Sequence, residues 1–124
     1  DKAFIGSTAG KKGAEHTLRM ARILLGDDVG TSAAEDKYVT ISLINSLSPL
    51  GYSTEMLDAL LTFARARQPL VIAALMMGGS TGPITLAGVL AAQTAELLAG
   101  IALTQLVSPG TPVVFGSTST NIDM

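Results

Sequence analysis

A chain of 124 residues that is 48% hydrophobic and 15% charged is long and apolar enough to fold as one domain with a sizeable core, which excludes intrinsic disorder. A formal net charge of −2 gives no basic surface for nucleic acid or for an anionic membrane, so neither is expected as a partner. The absence of cysteine excludes disulfide bonds and thiolate catalysis, and it fits a cytoplasmic location.

The first half of the chain predicts two strands that alternate with two helices. Apolar residues at helical spacing indicate the helices, and alternating β-branched residues indicate the second strand. The predicted elements are a strand over 2–7, a helix over 13–25 that ends at Gly26, a strand over 38–44 and a helix from Ser53 or Thr54 to about Arg67. The polar segment 27–37 is predicted to be a loop.

The second half predicts a βαβ unit. An apolar strand over 70–76 leads into the run Gly78-Gly79-Ser80-Thr81-Gly82-Pro83, a helix over 83–107 with Pro83 as its first residue, and a strand over 113–117. The expected order is β-α-β-α-β-α-β, with parallel strands in an α/β fold. Ligands of such folds bind beyond the carboxyl ends of the strands, where the glycine run lies.

Two architectures accept this order: a doubly wound open sheet and part of a (β/α)8 barrel. A complete barrel takes about 250 residues, so this chain would form about half of one, as a single partial domain over 1–124. The chain opens with Asp1-Lys2-Ala3 and has no initiator methionine, so we expect a section of a longer protein.

The third predicted helix is unusually apolar. Residues 84–107 exceed the roughly 20 apolar positions that a membrane span needs, but Gln93 and Glu96 lie at the middle, where a carboxylate is costly. We therefore expect a buried helix instead of a span. Its polar residues Thr85, Gln93, Glu96 and Thr104 form one stripe. Missing sequence or a partner subunit should cover the other sides, and we expect a homo-oligomer.

The glycine run is a candidate anion site. Glycine lets backbone N–H groups approach a ligand, the start of the next helix carries partial positive charge, and Ser80 and Thr81 add hydroxyl donors. The run matches no nucleotide-binding motif, and the alternative is a plain turn between strand and helix. Other small polar residues at strand ends could line a ligand site or serve as ordinary turn residues: Gly6, Ser7, Asn45, Ser46, Ser48, Ser117, Thr118 and Ser119.

The catalytic residues stay unknown at this point. Glu96 could act as an acid or base, pair with an arginine of a neighbouring element, or face water. His16, the only histidine, is expected to be exposed, and no cluster typical of a metal site is present. Tyr52 and Phe115 could line a cation-friendly pocket or pack in the core.

The most specific pattern in the chain runs from Met77 to Gly100, beginning Met-Gly-Gly-Ser-Thr-Gly-Pro and ending Glu-Leu-Leu-Ala-Gly. Together with residues 105–117 and 122–124 it resembles the trimethylamine methyltransferase family. Weaker matches lie at residues 4–7 and 46–50. The resemblance implies a TIM-barrel enzyme of several hundred residues, of which this chain would be a central section.

The resemblance also implies an activity. Members of this family transfer a methyl group from a methylated amine to the cob(I)alamin of a separate corrinoid protein, in one-carbon metabolism and methanogenesis. The founding enzyme acts on trimethylamine and contains pyrrolysine, whereas relatives without it are associated with quaternary amines such as glycine betaine. The corrinoid protein is the implied partner, and no cofactor would bind this chain directly. The region that matches the pyrrolysine would lie beyond Met124.

Residues and resemblance together predict a methyltransferase section that uses hydrogen bonds and shape to bind its substrate. The predicted substrate-binding residues are Asn45, Ser48, Gly79, Ser80, Thr81 and Ser117. One alternative is a small α/β module that holds an anionic molecule in the turn from Gly78 to Gly82. Another is a scaffold whose apolar helix docks a partner. We expect the isolated chain to be inactive, because half a barrel cannot close a site.

Overall fold

The computed structural model describes residues 4–6, 9–25 and 38–121. The elements are β1 (Phe4–Gly6), α1 (Gly10–Leu25), β2 (Thr40–Asn45), α2 (Thr54–Arg65), β3 (Leu70–Ala74), β4 (Met77–Gly78), α3 (Leu86–Val107), β5 (Val113–Ser117) and β6 (Thr120–Asn121). The predicted alternation is confirmed, and the short strands β4 and β6 are additional. The predicted helix end at Gly26, the loop over 27–37 and Ser7 lie outside the described residues.

The ends of two helices are set by local backbone and capping geometry. Ser53 caps α2, as predicted, and its hydroxyl accepts a hydrogen bond from the first turn at 3.2 Å. α2 ends before Arg67 because that residue has a φ of 52°, which a right-handed helix does not contain. The prediction that Pro83 is the first residue of α3 is wrong. Thr85 is the cap, and its hydroxyl accepts a hydrogen bond from the Gly88 amide at 3.2 Å.

Three further boundaries differ from the prediction. α1 begins at Gly10 and not at Gly13, since the two lysines between them favour a helix. β2 covers 40–45 and not 38–44. β3 ends at Ala74 and not at residue 76, because the Met76 amide donates to the Ser119 hydroxyl at 3.1 Å and the chain leaves the main sheet.

Four parallel strands form the main sheet in the order β1-β2-β3-β5, which is also their order along the chain. Right-handed crossovers with this sequential order place all three helices on one face, and α2 packs beside both α1 and α3. A doubly wound sheet has helices on both faces, so the described strands do not form one. β4 and β6 make a separate two-stranded sheet that continues from β3 and β5.

The hydrophobic core lies between the sheet and the helices. Ile44, Leu70 and Ile72 of the sheet pack there with Leu60 and Phe63 of α2, and all five side chains are fully buried. Burying a side chain of this size contributes about 1.5–3 kcal/mol, so this layer is the main source of stability in the described part of the chain.

The opposite face of the sheet, which we call the open face, is also apolar. Because side chains alternate along a strand, the neighbours of the core residues point to it. Leu43, Val71 and Val114 lie in register on this face, and Ile5 beside them is 79% exposed. No described element covers it. A face of this composition is normally buried, as it is in parallel sheets.

α3 has its polarity reversed with respect to an ordinary surface helix. Gln93, Glu96 and Thr104 are buried against the fold, whereas the exposed positions are all leucine or alanine; Leu98 and Leu106 are 54% and 82% exposed. An 18-residue stretch of the helix has a mean hydropathy of 1.7, so the helix is long and apolar enough to cross a membrane by length and composition. Its buried polar stripe instead packs it onto the domain.

We predict that Gly100→Ala in the full-length parent lowers its thermal stability. Glycine in a helix interior costs about 0.5–1 kcal/mol relative to alanine, so helix propensity alone would raise stability. A Cβ at this position would lie 2.5 Å from the Tyr52 hydroxyl and 2.9 Å from Ile72 Cγ2, and such overpacking costs about 1–3 kcal/mol. The change in Tm, measured by calorimetric unfolding, shows whether the gain from helix propensity or the loss from overpacking is larger. A rise in Tm would contradict this packing.

Candidate functional site

The strand ends bring the predicted site residues to one edge of the sheet but point them in different directions. Asn45 ends β2 and is exposed on the open face. Ser48 and Ser117 turn their hydroxyl groups toward α3. Gly79 and Ser80 are exposed in the turn that follows β4. The six predicted residues therefore do not converge on one point in the structure.

The loop after β2 is bonded to the buried carboxylate of Glu96, which is 2% exposed. The Ser46 and Ser48 hydroxyl groups donate to Glu96 Oε2 at 2.5 and 2.9 Å. The Leu50 amide donates to Oε1 at 2.8 Å. The sequence suggested an arginine or water as the partner of Glu96. The structure instead shows two hydroxyl groups and one backbone amide as its donors.

This loop (residues 46–51, the β2–α2 loop) is tightly closed. The amide of Leu47 donates to the Gly51 carbonyl at 2.8 Å, and the amide of Gly51 donates back at 3.0 Å. A Cβ on Gly51 would lie 3.1 Å from the Leu47 carbonyl oxygen, which favours glycine there. Leu50 has a φ of 51°, a conformation that costs a residue with a side chain about 1–3 kcal/mol. The fold thus holds this loop in a strained, defined shape.

Tyr52 connects the same loop to the backbone of α3. Its hydroxyl donates to the Glu96 carbonyl oxygen at 2.7 Å. Burial, and secondarily the Glu96 carboxylate, raise the pKa of Tyr52 to about 12. Packing in the core, one of the two roles considered from sequence, is what the structure supports for this side chain, because it contacts the hydrophobic core.

Gln93 makes the corresponding contact with β5. The Ser117 hydroxyl donates to Gln93 Oε1 at 2.8 Å, and the Ser119 amide donates to the Ser117 oxygen at 3.3 Å. A cavity of about 250 Å³ adjoins this contact and is lined by Leu86, Val89, Leu90, Gln93, Ser117, Ser119, Thr120 and Asn121. The lining carries no charge, which suits a neutral or apolar occupant.

The glycine turn (residues 78–82) closes on itself. The amides of Ser80, Thr81 and Gly82 all donate to the Met77 carbonyl at 3.0–3.1 Å, and the Thr81 hydroxyl accepts from the Met77 amide at 2.9 Å. Gly79 has a φ of 85°, which favours glycine. Because these amides are engaged within the turn and α3 begins only at Leu86, the geometry supports the plain turn and not the anion site.

Three residues at the carboxyl edge form a row across the open face. Asn45, Ala73 and Gly116 are in register on three adjacent strands. Ala73 is buried, and a Cβ on Gly116 would lie 3.3 Å from Val71 Cγ1, so the exposed Asn45 is the member of the row that a ligand can reach. Sequence reasoning missed Ala73 and Gly116, because only the strand register shows that they adjoin Asn45.

Other candidate chemistry is limited in the described ranges. There, no group of three or more His, Asp or Glu residues is placed to hold a metal ion. His16 is exposed on α1, as predicted. Phe115 is 50% exposed on the helix side of the edge strand β5, where no described helix covers it.

The fold is thus that of an α/β protein with a parallel sheet, and small polar residues lie at the carboxyl edge of its strands. The profile of the trimethylamine methyltransferase family matches residues 1–124. The chain therefore belongs to the trimethylamine methyltransferase family.

Named relatives act on several methylated amines. A glycine betaine methyltransferase of Desulfitobacterium hafniense is 52% identical over 124 residues, which is 100% of this chain and 25% of the relative. A proline betaine:corrinoid methyltransferase of Eubacterium limosum is 43% identical over 72% of this chain and 18% of the relative. A trimethylamine methyltransferase of D. hafniense is 34% identical over 98% of this chain and 24% of the relative. The chain spans about a quarter or less of the relatives' length, and is a partial chain.

We predict that Tyr52→Phe weakens the decline of stability at alkaline pH. The raised pKa means that the folded protein keeps the tyrosine proton between pH 10.0 and about 12 while the unfolded chain loses it. Stability therefore falls as pH rises through this range. Denaturant unfolding of the full-length parent at several alkaline pH values measures the slope. Equal slopes for wild type and Tyr52→Phe would contradict the prediction.

Proposed function

We propose that the full-length parent is a corrinoid-dependent methyltransferase that transfers a methyl group from a tertiary or quaternary methylated amine to cob(I)alamin on a separate corrinoid protein. The observation that carries this is the 52% identity, over the whole chain, to a protein named glycine betaine methyltransferase. Glycine betaine is therefore the first substrate to test, and trimethylamine is the second. We place the reaction in one-carbon metabolism in the cytoplasm.

The proposed architecture is a TIM barrel of which this chain supplies about half. Support comes from the sequential order of four parallel strands, the helices on one face and the apolar open face on the other. In a closed barrel the open face would line the interior, and the carboxyl edge would form the mouth. The exposed leucines of α3 and the half-exposed Phe115 support further packing, by the rest of the parent and by a second copy in a homo-oligomer.

The corrinoid supplies the cobalt nucleophile, so the parent protein has to bind and orient the amine, with recognition of the cation mostly by the part of the parent outside this chain. Four large apolar side chains are exposed at the carboxyl edge, and such a surface suits a protein partner. They are Leu47, Leu50, Leu75 and Ile84. We therefore place the corrinoid protein at this edge.

Among the predicted site residues, Asn45 is the one we assign to direct contact with substrate. Its exposed amide can donate to the carboxylate of a betaine. The hydroxyls of Ser48, Thr81 and Ser117 are hydrogen-bonded within the chain and shape the mouth. Gly79 and Ser80 form its exposed lip.

The test is methyl transfer to cob(I)alamin by the full-length parent and its corrinoid protein. We predict that Asn45→Ala raises KM for glycine betaine about tenfold or more, since a hydrogen bond to a charged group is worth about 1.5–3 kcal/mol. Asn45→Asp should be worse, because two carboxylates would repel. Thr54→Ala, at the exposed start of α2, is the control. The absence of transfer from every tertiary and quaternary amine tried would contradict the proposed function.

A further inference from the structure

The inward face of α3 contains a buried carboxylate where a hydrophobic side chain would be expected. Glu96 sits on the side that packs against the sheet and the β2–α2 loop. A charged group in such a position is costly unless hydrogen bonds compensate it, and apolar replacements of buried charges are often at least as stable. Stability alone therefore does not account for a glutamate here. The three donors it binds indicate a more specific role.

All three donors belong to one short segment of the chain. Ser46, Ser48 and Leu50 are alternate residues of the β2–α2 loop, and they converge on the two carboxylate oxygens. The segment includes the left-handed backbone of Leu50, whose amide is one of the donors. A strained backbone persists only where its surroundings over-determine it. The Glu96 carboxylate provides that constraint.

The loop held by Glu96 begins directly after Asn45. The pairing of Asn45 with Ala73, and the bond from the Ser46 amide to the Ala73 carbonyl at 2.9 Å, fix the Asn45 side chain on the open face. Glu96 holds the next side chain, the Ser46 hydroxyl, on the helix side. The loop therefore leaves the sheet in a defined direction directly beside Asn45.

One turn away on α3, Gln93 holds the end of β5 in a similar way. Its amide oxygen accepts from Ser117, the last residue of β5. The helix that follows β3 thus binds the carboxyl ends of the strands on both sides of β3. Gly116, the third member of the row with Asn45, directly precedes Ser117. The residues that follow both ends of the row are therefore bonded to one face of α3.

We propose that Glu96 is a positioning residue of the substrate site: through Ser46, Ser48 and the Leu50 amide it holds the β2–α2 loop in the position that borders Asn45 at the carboxyl edge. This inference rests on the proposed function. It assigns Glu96 no contact with substrate and no proton transfer. A glutamine side chain of the same shape can replace it, because its oxygen can accept from the Leu50 amide while its NH2 group donates to the rotatable Ser46 and Ser48 hydroxyl groups.

The first test measures KM in the full-length parent with its corrinoid protein. Glu96→Ala should raise KM for the amine about tenfold or more, and Glu96→Gln should stay within about threefold of wild type, because its amide can still bond the loop. Thr104→Val is the matched control: this buried hydroxyl on the same helix donates only to the Gly100 carbonyl at 2.8 Å. It should lower stability and leave KM unchanged.

The two variants are compared at the same folded fraction. If Glu96→Ala and Thr104→Val then change KM equally, the role of Glu96 is purely structural and the proposal is overturned. A KM for Glu96→Gln as high as that of Glu96→Ala would also overturn the proposal, because the charge itself would then be required.

A second readout separates this inference from the proposed function. Amide hydrogen exchange of residues 46–52 in the parent should be about tenfold faster in Glu96→Ala than in wild type and Thr104→Val. It tests the loop contact even if no amine is turned over, and unchanged exchange would overturn the proposal.

Discussion

The carboxylate of Glu96 is the interaction on which the carboxyl edge of this sheet depends. A carboxylate that is 2% exposed is tolerable only with several hydrogen bonds, and the β2–α2 loop supplies three of them. The stabilisation is mutual. The loop supplies hydrogen bonds to the buried carboxylate, and the carboxylate holds a loop in which Leu50 has a left-handed backbone conformation. The position of the loop beside Asn45 follows from that mutual constraint.

The reversed polarity of α3 links this local interaction to the size of the protein. Its polar stripe points inward to bind strand ends, so its outward surface is left with leucine and alanine. Together with the apolar open face and Phe115, this surface is more than a chain of this length covers by itself. The relatives are about four times as long or longer, which agrees with a section whose remaining contacts come from elsewhere in the parent.

Periodicity in the sequence was sufficient to predict the main strands and helices, because each depends on neighbours within one or two turns. It misplaced the start of α3, since Pro83 suits a first helical position but Thr85 provides the hydroxyl that caps the helix. The family resemblance, carried mainly by residues 77–117, was confirmed over the whole chain.

The site was harder to predict, because its contacts join residues far apart in the chain. Ser46 and Glu96 are separated by 50 positions, and the local sequence around either residue does not indicate that it contacts the other. The row of Asn45, Ala73 and Gly116 depends on strand register, which periodicity does not determine. The glycine turn illustrates the same limit: its composition suits an anion site, but the direction of its amides toward Met77 is a property of the folded backbone.

The most direct measurement is a double-mutant cycle between Glu96→Ala and Ser46→Ala in the full-length parent, read as kcat/KM for the methylated amine. If the carboxylate acts by holding this loop, the double variant loses no more activity than Glu96→Ala alone, with a coupling energy of about 1–3 kcal/mol. If the two losses simply multiply, the residues act independently, and Glu96 does not position the β2–α2 loop.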